Sequence, residues 1–583
     1  MKKGTGWRTW SREKQLLTLF LGCCFFLELL FIFRIFLGFN TADEMYFAGT
    51  TERLFRGERL LIDEWHPSQQ LSSFFIYPLY SLLRLLLGST EGIILGIRLW
   101  ALLLHTLAAV IAFGRLKQKG WSAVGAALLF FSFVPCGLMA LSYNSLQFTG
   151  IFLLVVCLYG KEEHNDWEYI LYGVLTAMLV LANPFALLLY VGYGLTCLAA
   201  FFWSRKSKNP ATEILRLRSF LLISLGAFVV AVLFAAFVLS RGSIREVLEN
   251  LPYILKNPDH QQGMASYWKK TKRYFSLIYN NYKYLVQISA LLYLVILLDK
   301  RRQQHKVLYL GAGGICTAAY LIYYGFVFQH IPVNYQMLPL SFLGLEAYLL
   351  TKNRDRRLFF CWFLPGLLYT MAVQYATNTG IVMVSSAFGI STFASVIFLG
   401  DLWREVQAEG DPPTGKRIIL ILLSAVLFLQ YAGTLYLRMT FVLADDKTWK
   451  LDTLMERGPL KGIYTTKDQA EEYEQVLRDL DTLSLTEEDQ LLVVGIAPWI
   501  YLYAEAGCGS YSTWQVDDGT AQLPAYYEMH PDKFPTVIYM MHWGQDFMAS
   551  DLAQPFWERG YVVTELERGI VMEAPKRAAL RAR

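Results

Sequence analysis

The chain has 583 residues, of which 55% are hydrophobic and only 17% are charged, with a formal net charge of +5. Soluble domains carry roughly 25% charged residues, so this composition excludes a protein whose main solvent is water. The Lys and Arg residues lie in short loops between long apolar segments, which is typical of membrane topology signals and argues against a nucleic-acid partner.

The apolar segments have the length of about 17 to 25 residues that a helix needs to cross a bilayer. The first, at about 15–39, follows basic residues and lacks a small-residue cleavage site, so we expect a retained anchor with a cytoplasmic amino terminus. Placing the later basic clusters in the cytoplasm predicts about thirteen spans. The predicted spans are about 15–39, 92–114, 121–140, 144–160, 168–183, 184–203, 219–240, 283–299, 307–328, 337–351, 358–373, 382–400 and 418–440.

Two predicted outer loops are long, at about 40–91 and about 241–282. Within the first loop, Gln70–Leu87 mixes Ser, Tyr, Pro and Arg with apolar residues and has no cytoplasmic basic cluster beside it. We therefore predict a helix that lies in the membrane interface.

The tail is charged and mixed in composition, unlike the rest of the chain. Short runs rich in β-branched residues lie at about 490–496, 536–541 and 561–564, with helical stretches between or before them. We predict a transmembrane domain at 1–441, followed by a small extracytoplasmic α/β domain with a partly parallel sheet at 442–583.

Acidic residues mark the first outer loop. Asp43 and Glu44 follow the first span directly, and the sequence DEWHP at 63–67 precedes the interfacial helix. A carboxylate at this surface can accept a proton from an attacking hydroxyl group, and Asp43 is our candidate base. The simpler alternative is that a loop leaving a membrane begins with solvated acids, but the coupling to DEWHP favours a catalytic role.

The stretch DEMYFAGTTERLFRGERLLIDEWHP, residues 43–67, resembles the first outer loop of protein O-mannosyltransferases, membrane glycosyltransferases of the GT-C class. Those enzymes carry a DE pair, an aromatic residue and a DxHPP element. The resemblance implies that Asp43 is the catalytic acid residue and Glu44 its partner, and that Asp63 or Glu64 with His66 forms the second element.

The same resemblance extends to aminoarabinose transferases and bacterial mannose or galacturonic acid transferases, which share a loop carboxylate, an interfacial helix and an Arg in the second span. Arg98 fits that last position. The sequence departs from the mannosyltransferase pattern at 68–70, where SQQ replaces a second Pro and a Lys. The resemblance therefore indicates the superfamily more strongly than it indicates a protein acceptor.

The second outer loop carries an unusual excess of positive charge. Such a surface could bind the phosphate of a polyprenyl donor. Two other interpretations stay open, since long loops escape the charge rule and cations also bind anionic headgroups. The basic residues are Arg241, Arg245, Lys256, His260, Lys269, Lys270, Lys272 and Arg273.

A few polar and charged residues lie within or beside the predicted spans. Charges in a span are usually functional or paired, and Glu28, Arg34 and Glu346 join Arg98 in this group. Tyr143 and Asn144, in an outer turn, are candidates for a sugar pocket, although such residues more often cap helix ends.

These observations predict a polytopic GT-C-like membrane enzyme, a hexosyl- or pentosyltransferase. We expect inverting transfer of a sugar from a polyprenyl-phosphate donor to an envelope glycan, lipid or protein on the outer membrane face. The residues demand no metal or other cofactor, although carboxylates with one His suit an optional divalent cation. The main alternative is a transporter or flippase for an anionic lipid-linked glycan; a third is an inactive scaffold whose tail binds a partner.

Overall fold

A computed structural model gives the architecture of the chain. It describes residues 11–40, 42–207, 213–255, 264–377, 379–408, 413–514, 522–541 and 544–581. These residues form a large helical bundle followed by a small domain that contains a mixed β-sheet. The predicted fold class, a helical membrane protein with a small carboxyl-terminal α/β domain, is confirmed.

In the described ranges, twenty α-helices precede the tail. The first ten are α1 Arg12–Arg34, α2 Asp43–Phe55, α3 Pro67–Leu87, α4 Ile93–Leu116, α5 Trp121–Ser132, α6 Tyr143–Gly160, α7 Asp166–Ala182, α8 Leu187–Ser207, α9 Leu217–Leu239 and α10 Ile244–Leu255. The next ten are α11 Met264–Asn281, α12 Lys283–Leu298, α13 Lys306–Ile322, α14 Pro332–Tyr335, α15 Leu338–Leu350, α16 Arg356–Leu358, α17 Leu364–Ala376, α18 Ile381–Ala387, α19 Gly389–Ala408 and α20 Pro413–Thr440.

Within the described part of the chain, ten helices are long and apolar enough to cross a membrane, and α11 with α12 forms an eleventh candidate bent by 97°. Of the thirteen predicted spans, four are not among these ten. They fall on α5, α7, α12 and α15, which have 12, 17, 16 and 13 residues, against about 20 for a full crossing. The predicted interfacial helix is α3, and its segment Gln70–Leu87 also has the length and hydropathy of a span.

The bundle is built around one central helical segment, Ile381–Ala408, which is 94% buried over its apolar window. Its second part, α19, packs against α5 and α15. The peripheral helices instead expose large apolar side chains such as Phe25, Leu195 and Phe228. Continuous exposed apolar surface of this kind is what a lipid-facing helix presents.

The tail begins with a two-stranded antiparallel sheet and continues with a five-stranded sheet of order β4-β3-β5-β7-β6. β3 pairs in parallel with β4 and β5, whereas β7 is antiparallel to β5 and β6. The predicted partly parallel sheet is confirmed. The strands are β1 Thr453–Leu454, β2 Tyr464–Thr465, β3 Gln490–Val494, β4 Gly507–Cys508, β5 Val537–Met540, β6 Val562–Glu565 and β7 Ile570–Glu573, and the helices are α21 Lys467–Leu483, α22 Ile500–Tyr503, α23 Gln522–Met529, α24 Gly544–Ala549, α25 Gln554–Glu558 and α26 Pro575–Arg581.

Strand β3 is buried on both faces, which explains its continuous apolar sequence. Leu491 and Val493 join the core that contains α21, while Leu492 and Val494 join a second core on the other face of the sheet. The first of these cores also includes residues of α2 and α4. Tail and bundle therefore share a hydrophobic core.

Backbone hydrogen bonds reinforce this junction. The Gly38 amide donates to the Tyr464 carbonyl at 2.7 Å, and the Trp65 amide donates to the Tyr511 carbonyl at 2.8 Å. The first outer loop is thus packed between the membrane helices and the tail.

Candidate active site

Helix α2 positions the predicted base at its first residue. Asn40, in the turn after α1, accepts hydrogen bonds through its side-chain oxygen from the amides of Ala42, at 3.0 Å, and Asp43. These bonds satisfy amides that the start of a helix leaves without an intrahelical partner. From Glu44 to Leu54 every residue of α2 is buried, so the helix cannot rotate without disturbing both the bundle and the tail.

The Asp43 carboxylate is held in a poorly solvated position at the edge of the bundle. Burial raises its pKa from 3.8 to about 6, and the neighbouring charge of Glu44 adds to this shift. Asp43 interacts electrostatically with Cys136, in the α5–α6 linker, and with Tyr143 at the start of α6. Among the residues that the structure describes, none donates a hydrogen bond to this carboxylate.

Glu44, the predicted partner of Asp43, is fully occupied by structural contacts. It forms an ion pair with Arg98 and accepts hydrogen bonds from the amides of Met139, at 2.8 Å, and Ala140, at 3.2 Å. Both of its oxygens are therefore engaged. Glu44 ties α2 to α4 and to the α5–α6 linker, and in this way orients the residue beside it.

Arg98, predicted to bind a lipid phosphate, is completely buried. Besides Glu44 it donates to the carbonyls of Ile35, at 2.6 Å, and Gly38, at 2.8 Å. Its two terminal nitrogens thus close the turn that leads from α1 into α2. Both terminal nitrogens of Arg98 are therefore engaged by protein atoms, and phosphate binding by Arg98 stays a prediction.

The second acidic pair, Asp63 and Glu64, holds the loop together. Asp63 accepts hydrogen bonds from Arg59, including 2.8 Å from Nη2. Burial alone would raise the pKa of Asp63, but the hydrogen bonds and charge of Arg59 together with the charge of Lys533 lower it below its usual value. Glu64 pairs with Arg53 at 2.7 Å.

Arg53 is the centre of this loop, and sequence reasoning missed it. Besides Glu64 it binds Glu58 at 2.6 Å and donates to the carbonyls of Asp63, at 2.8 Å, and Ser510, at 3.1 Å. The last bond reaches the tail. The signal in the sequence was the dense alternation of Arg and Glu from 52 to 59, which is typical of a folded charge network.

His66 is buried beside α2. Its backbone amide donates to Glu64 at 3.0 Å, and its ring meets the ring of Tyr46 edge-on at 5.6 Å. Tyr46 in turn makes a hydrogen bond of 2.9 Å with Ser512 of the tail. The DEWHP element therefore connects the first loop, α2 and the tail.

The predicted pocket residues Tyr143 and Asn144 lie at the start of α6. The Tyr143 ring packs against Phe47 of α2 at 5.4 Å. Asn144 accepts a hydrogen bond from Gln147 at 3.2 Å, and Gln147 accepts one from Asn183 at 2.9 Å. Tyr143 is close enough to Asp43 for the two to interact electrostatically. Asn144, Gln147 and Asn183 form a series of buried hydrogen bonds within the bundle.

The basic residues of the second outer loop that the structure describes make separate contacts. Arg241 donates to the Leu54 carbonyl at 2.7 Å and to the Tyr77 hydroxyl at 2.8 Å, so it fastens the end of α2. Arg245 is exposed and pairs with Glu249 within α10. Lys256 and His260 lie outside the described residues.

Helix α11 carries the remaining cations of this loop. Lys270 is buried and donates to the Tyr375 carbonyl at 2.8 Å, which docks α11 on the end of α17. Arg273 is exposed beside Gly380, at the start of α18. Lys269 and Lys272 are exposed on the same helix.

The other charges predicted within spans have separate structural roles. Glu28 accepts a hydrogen bond of 2.6 Å from Thr106. Arg34 donates to the carbonyls of Arg438, at 3.0 Å, and Phe441, at 2.6 Å, and thereby caps α20. Glu346 is buried against Gly313, where a Cβ atom would collide with its carboxyl group.

The described ranges contain no group of three or more His, Cys, Asp or Glu side chains that could hold a metal ion. Of the four acids predicted for the site, Glu44, Asp63 and Glu64 are each paired with a different arginine. The optional divalent cation stays a prediction.

No protein-family model and no curated protein matches this sequence. Solved structures with a similar course of the chain include ArnT from Cupriavidus metallidurans bound to undecaprenyl phosphate. The sequence identity is 10% and the TM-score is 0.45, and the match covers 95% of this chain and 97% of ArnT. Another is the oligosaccharyltransferase AglB from Archaeoglobus fulgidus in complex with an inhibitory peptide and a dolichol-phosphate, with 12% identity, a TM-score of 0.40, and coverage of 96% of this chain and 74% of that one. Identities and TM-scores of this size describe the path of the chain and carry no information about its chemistry.

Proposed function

We propose that this chain is a membrane glycosyltransferase that moves a sugar from a polyprenyl-phosphate donor to a cell-envelope acceptor on the outer membrane face. Asp43 acts as the general base. The observation that carries the proposal is that Asp43 is a half-buried carboxylate without a described hydrogen-bond donor, whereas Glu44, Asp63 and Glu64 are all paired with arginines.

The environment of Asp43 suits proton abstraction. With a pKa of about 6, the carboxylate is largely ionised at neutral pH and is more basic than an ordinary aspartate. An acceptor hydroxyl loses its proton to Asp43 as its oxygen forms a bond to the anomeric carbon. The bond between that carbon and the phosphate oxygen breaks, and the phosphate keeps the electron pair.

Inversion follows from a single displacement in which the base and the leaving phosphate lie on opposite faces of the sugar. One face is supplied by Asp43 and by Tyr143, which interacts electrostatically with Asp43 and packs against Phe47 of α2. The phosphate then needs cations on the other face to stabilise its growing charge. In the second loop, the candidates for this role are three exposed cations of α11: Lys269, Lys272 and Arg273.

Glu44 and Arg98 act by positioning. Their buried ion pair, with the amides of Met139 and Ala140, determines where α2 begins and hence where the Asp43 carboxylate lies. Because both oxygens of Glu44 already accept hydrogen bonds, Asp43 is the better candidate for the base. We assign no acceptor beyond an envelope glycan, lipid or protein.

The decisive experiment separates transfer from transport. Purified protein in proteoliposomes is given a radiolabelled polyprenyl-phosphate sugar and envelope extract, with and without Mg²⁺. Transfer of label to an acceptor, lost in Asp43→Asn and retained in the exposed tail variant Asp452→Asn, supports the proposal. Translocation of the labelled lipid without transfer, unchanged in Asp43→Asn, supports the transporter instead.

A further inference from the structure

A buried asparagine of the bundle is bound to the linker that faces the candidate active site. Asn334 of α14 is fully buried, and its side-chain oxygen accepts a hydrogen bond of 2.7 Å from the Cys136 amide. Its side-chain nitrogen donates to the Cys136 sulfur at 3.2 Å. Both polar groups of the Asn334 side chain therefore bind the same residue of the α5–α6 linker.

Cys136 needs such support because of its backbone conformation. Its φ is +59°, which lies in the left-handed region that residues with a Cβ atom rarely adopt. A conformation of this kind persists only where the surrounding contacts enforce it. Asn334 supplies two such contacts, and the Cys136 thiol also donates a hydrogen bond of 3.2 Å to the Met383 sulfur of α18.

The same linker supplies the amides that hold Glu44. Further along it, the amides of Met139 and Ala140 donate to one oxygen of Glu44 at 2.8 Å and 3.2 Å. The Cys136 thiol lies close enough to Asp43 for the two side chains to interact electrostatically. The backbone conformation at Cys136 therefore determines the direction of the amides that fix the start of α2.

Helix α14 is also bound by the end of the second outer loop. Tyr282 lies at the 97° corner between α11 and α12, and its buried hydroxyl donates to the Tyr335 carbonyl at 2.8 Å. The same hydroxyl makes a hydrogen bond of 3.2 Å with Ser385 of α18. Since Tyr335 follows Asn334 directly, α14 connects this corner with the α5–α6 linker.

We propose that Asn334 is a positioning residue for Asp43. By holding Cys136 in its left-handed conformation, Asn334 keeps the linker amides on Glu44 and thereby keeps the Asp43 carboxylate where it accepts the proton. Asn334 acts through the linker and Glu44, without contact with the reacting atoms. The inference rests on the proposed function, because its kinetic consequence presupposes that Asp43 is the base.

The first measurement compares the kinetics of sugar transfer by wild type and Asn334→Ala in proteoliposomes, each corrected for the fraction of folded protein. The variant displaces the Asp43 carboxylate without removing it, so kcat should fall about 10- to 100-fold. The KM for the donor should change less than about twofold, because donor binding does not depend on the base. A loss of stability alone would disappear after the correction for folded protein.

The second measurement needs no enzymatic activity. It follows the reaction of Cys136 with N-ethylmaleimide in the full-length protein by mass spectrometry of the labelled peptide. Cys136 is only 5% exposed and should react slowly in wild type, but roughly tenfold faster in Asn334→Ala, because the linker opens more often. The buried Cys508 of the tail is the reference in the same sample and should keep its rate.

Three further variants make the result interpretable. Cys136→Ser should lose much less kcat than Asn334→Ala, because a serine hydroxyl accepts the same hydrogen bond. Asn353→Ala, an exposed asparagine beyond the far end of α15, is the matched control and should keep the wild-type kcat. Tyr282→Phe loosens α14 from the side of the second loop, and is read in the same assays, with an expected loss of about 2- to 10-fold in kcat, if Asn334→Ala folds poorly.

The outcomes separate this inference from the proposed transferase activity. A wild-type kcat in the folded molecules of Asn334→Ala and Tyr282→Phe overturns the proposal, and so does an unchanged labelling rate of Cys136. If wild type itself transfers no sugar, the transferase proposal fails and the kinetic link to Asp43 fails with it. The labelling rate then decides by itself whether Asn334 holds the linker.

Discussion

Arg98 of α4 and Glu44 of α2 form a buried ion pair at the start of α2, just after the turn that follows α1. Arg98 also donates hydrogen bonds to two backbone carbonyls, and Glu44 accepts hydrogen bonds from two backbone amides. Glu44 is therefore fully engaged, whereas the carboxylate of the adjacent Asp43 accepts no hydrogen bond from a described residue. Glu44, which holds the structure together, and Asp43, the proposed base, are thus neighbours in the sequence.

The ion pair should contribute strongly to stability. Arg98→Leu leaves the Glu44 charge buried without its partner, so we expect a loss of about 3–5 kcal/mol in the free energy of unfolding. The double variant Arg98→Leu/Glu44→Leu should recover part of this loss, because it removes both charges. Thermal unfolding in detergent measures the difference; equal stability of the single and double variants would contradict the buried pair.

Activity should depend on pH through Asp43. Since burial raises its pKa from 3.8 to about 6, the base becomes half protonated near pH 6, and kcat/KM should fall tenfold per pH unit below that value and level off above about pH 7. The same shift means that ionising Asp43 disfavours the folded state as pH rises from 3.8 through 6. A profile that stays flat between pH 5 and 7 would exclude Asp43 as the titrating base.

Arg53 should hold the tail against the first loop. Arg53→Ala removes contacts with Glu58, Glu64 and the Ser510 carbonyl. Glu58 keeps its ion pair with Lys533, but the buried Glu64 carboxylate is left without its arginine, so we expect a loss of about 3 kcal/mol in stability. Limited proteolysis should then release the tail faster. Arg478→Ala, which breaks an exposed ion pair within the tail, serves as control and should change the cleavage rate little.

Predictions made from the sequence succeeded where the membrane imposes a local rule. The length of an apolar run is set by bilayer thickness, and the predicted segment 418–440 accordingly falls on α20, Pro413–Thr440. Strand β3 was predictable for a similar reason, since its buried run is flanked by polar residues. The predicted spans at α5, α7 and α15 fall on helices of only 12, 17 and 13 residues, because hydropathy does not show where a helix ends.

The partners of the charged residues could not be predicted in this way. Arg53 meets Ser510 and Arg34 meets Arg438 across more than 400 positions, and no local pattern records such contacts. The sequence therefore drew attention to four acids of the first loop without showing that three of them are paired with arginines. It also left Arg438 unnoticed, although a basic residue within a predicted span is itself a signal.

The most direct test of the account is the transfer rate of Asp43→Asn compared with that of Asp63→Asn in the same proteoliposomes, each corrected for the fraction of folded protein. If Asp43 is the base and Asp63 a structural ligand of Arg59, the first variant should lose about 10²- to 10⁴-fold in kcat without losing thermal stability. The second should lose stability while its folded molecules keep a kcat near that of wild type. Full activity in folded Asp43→Asn would contradict the account.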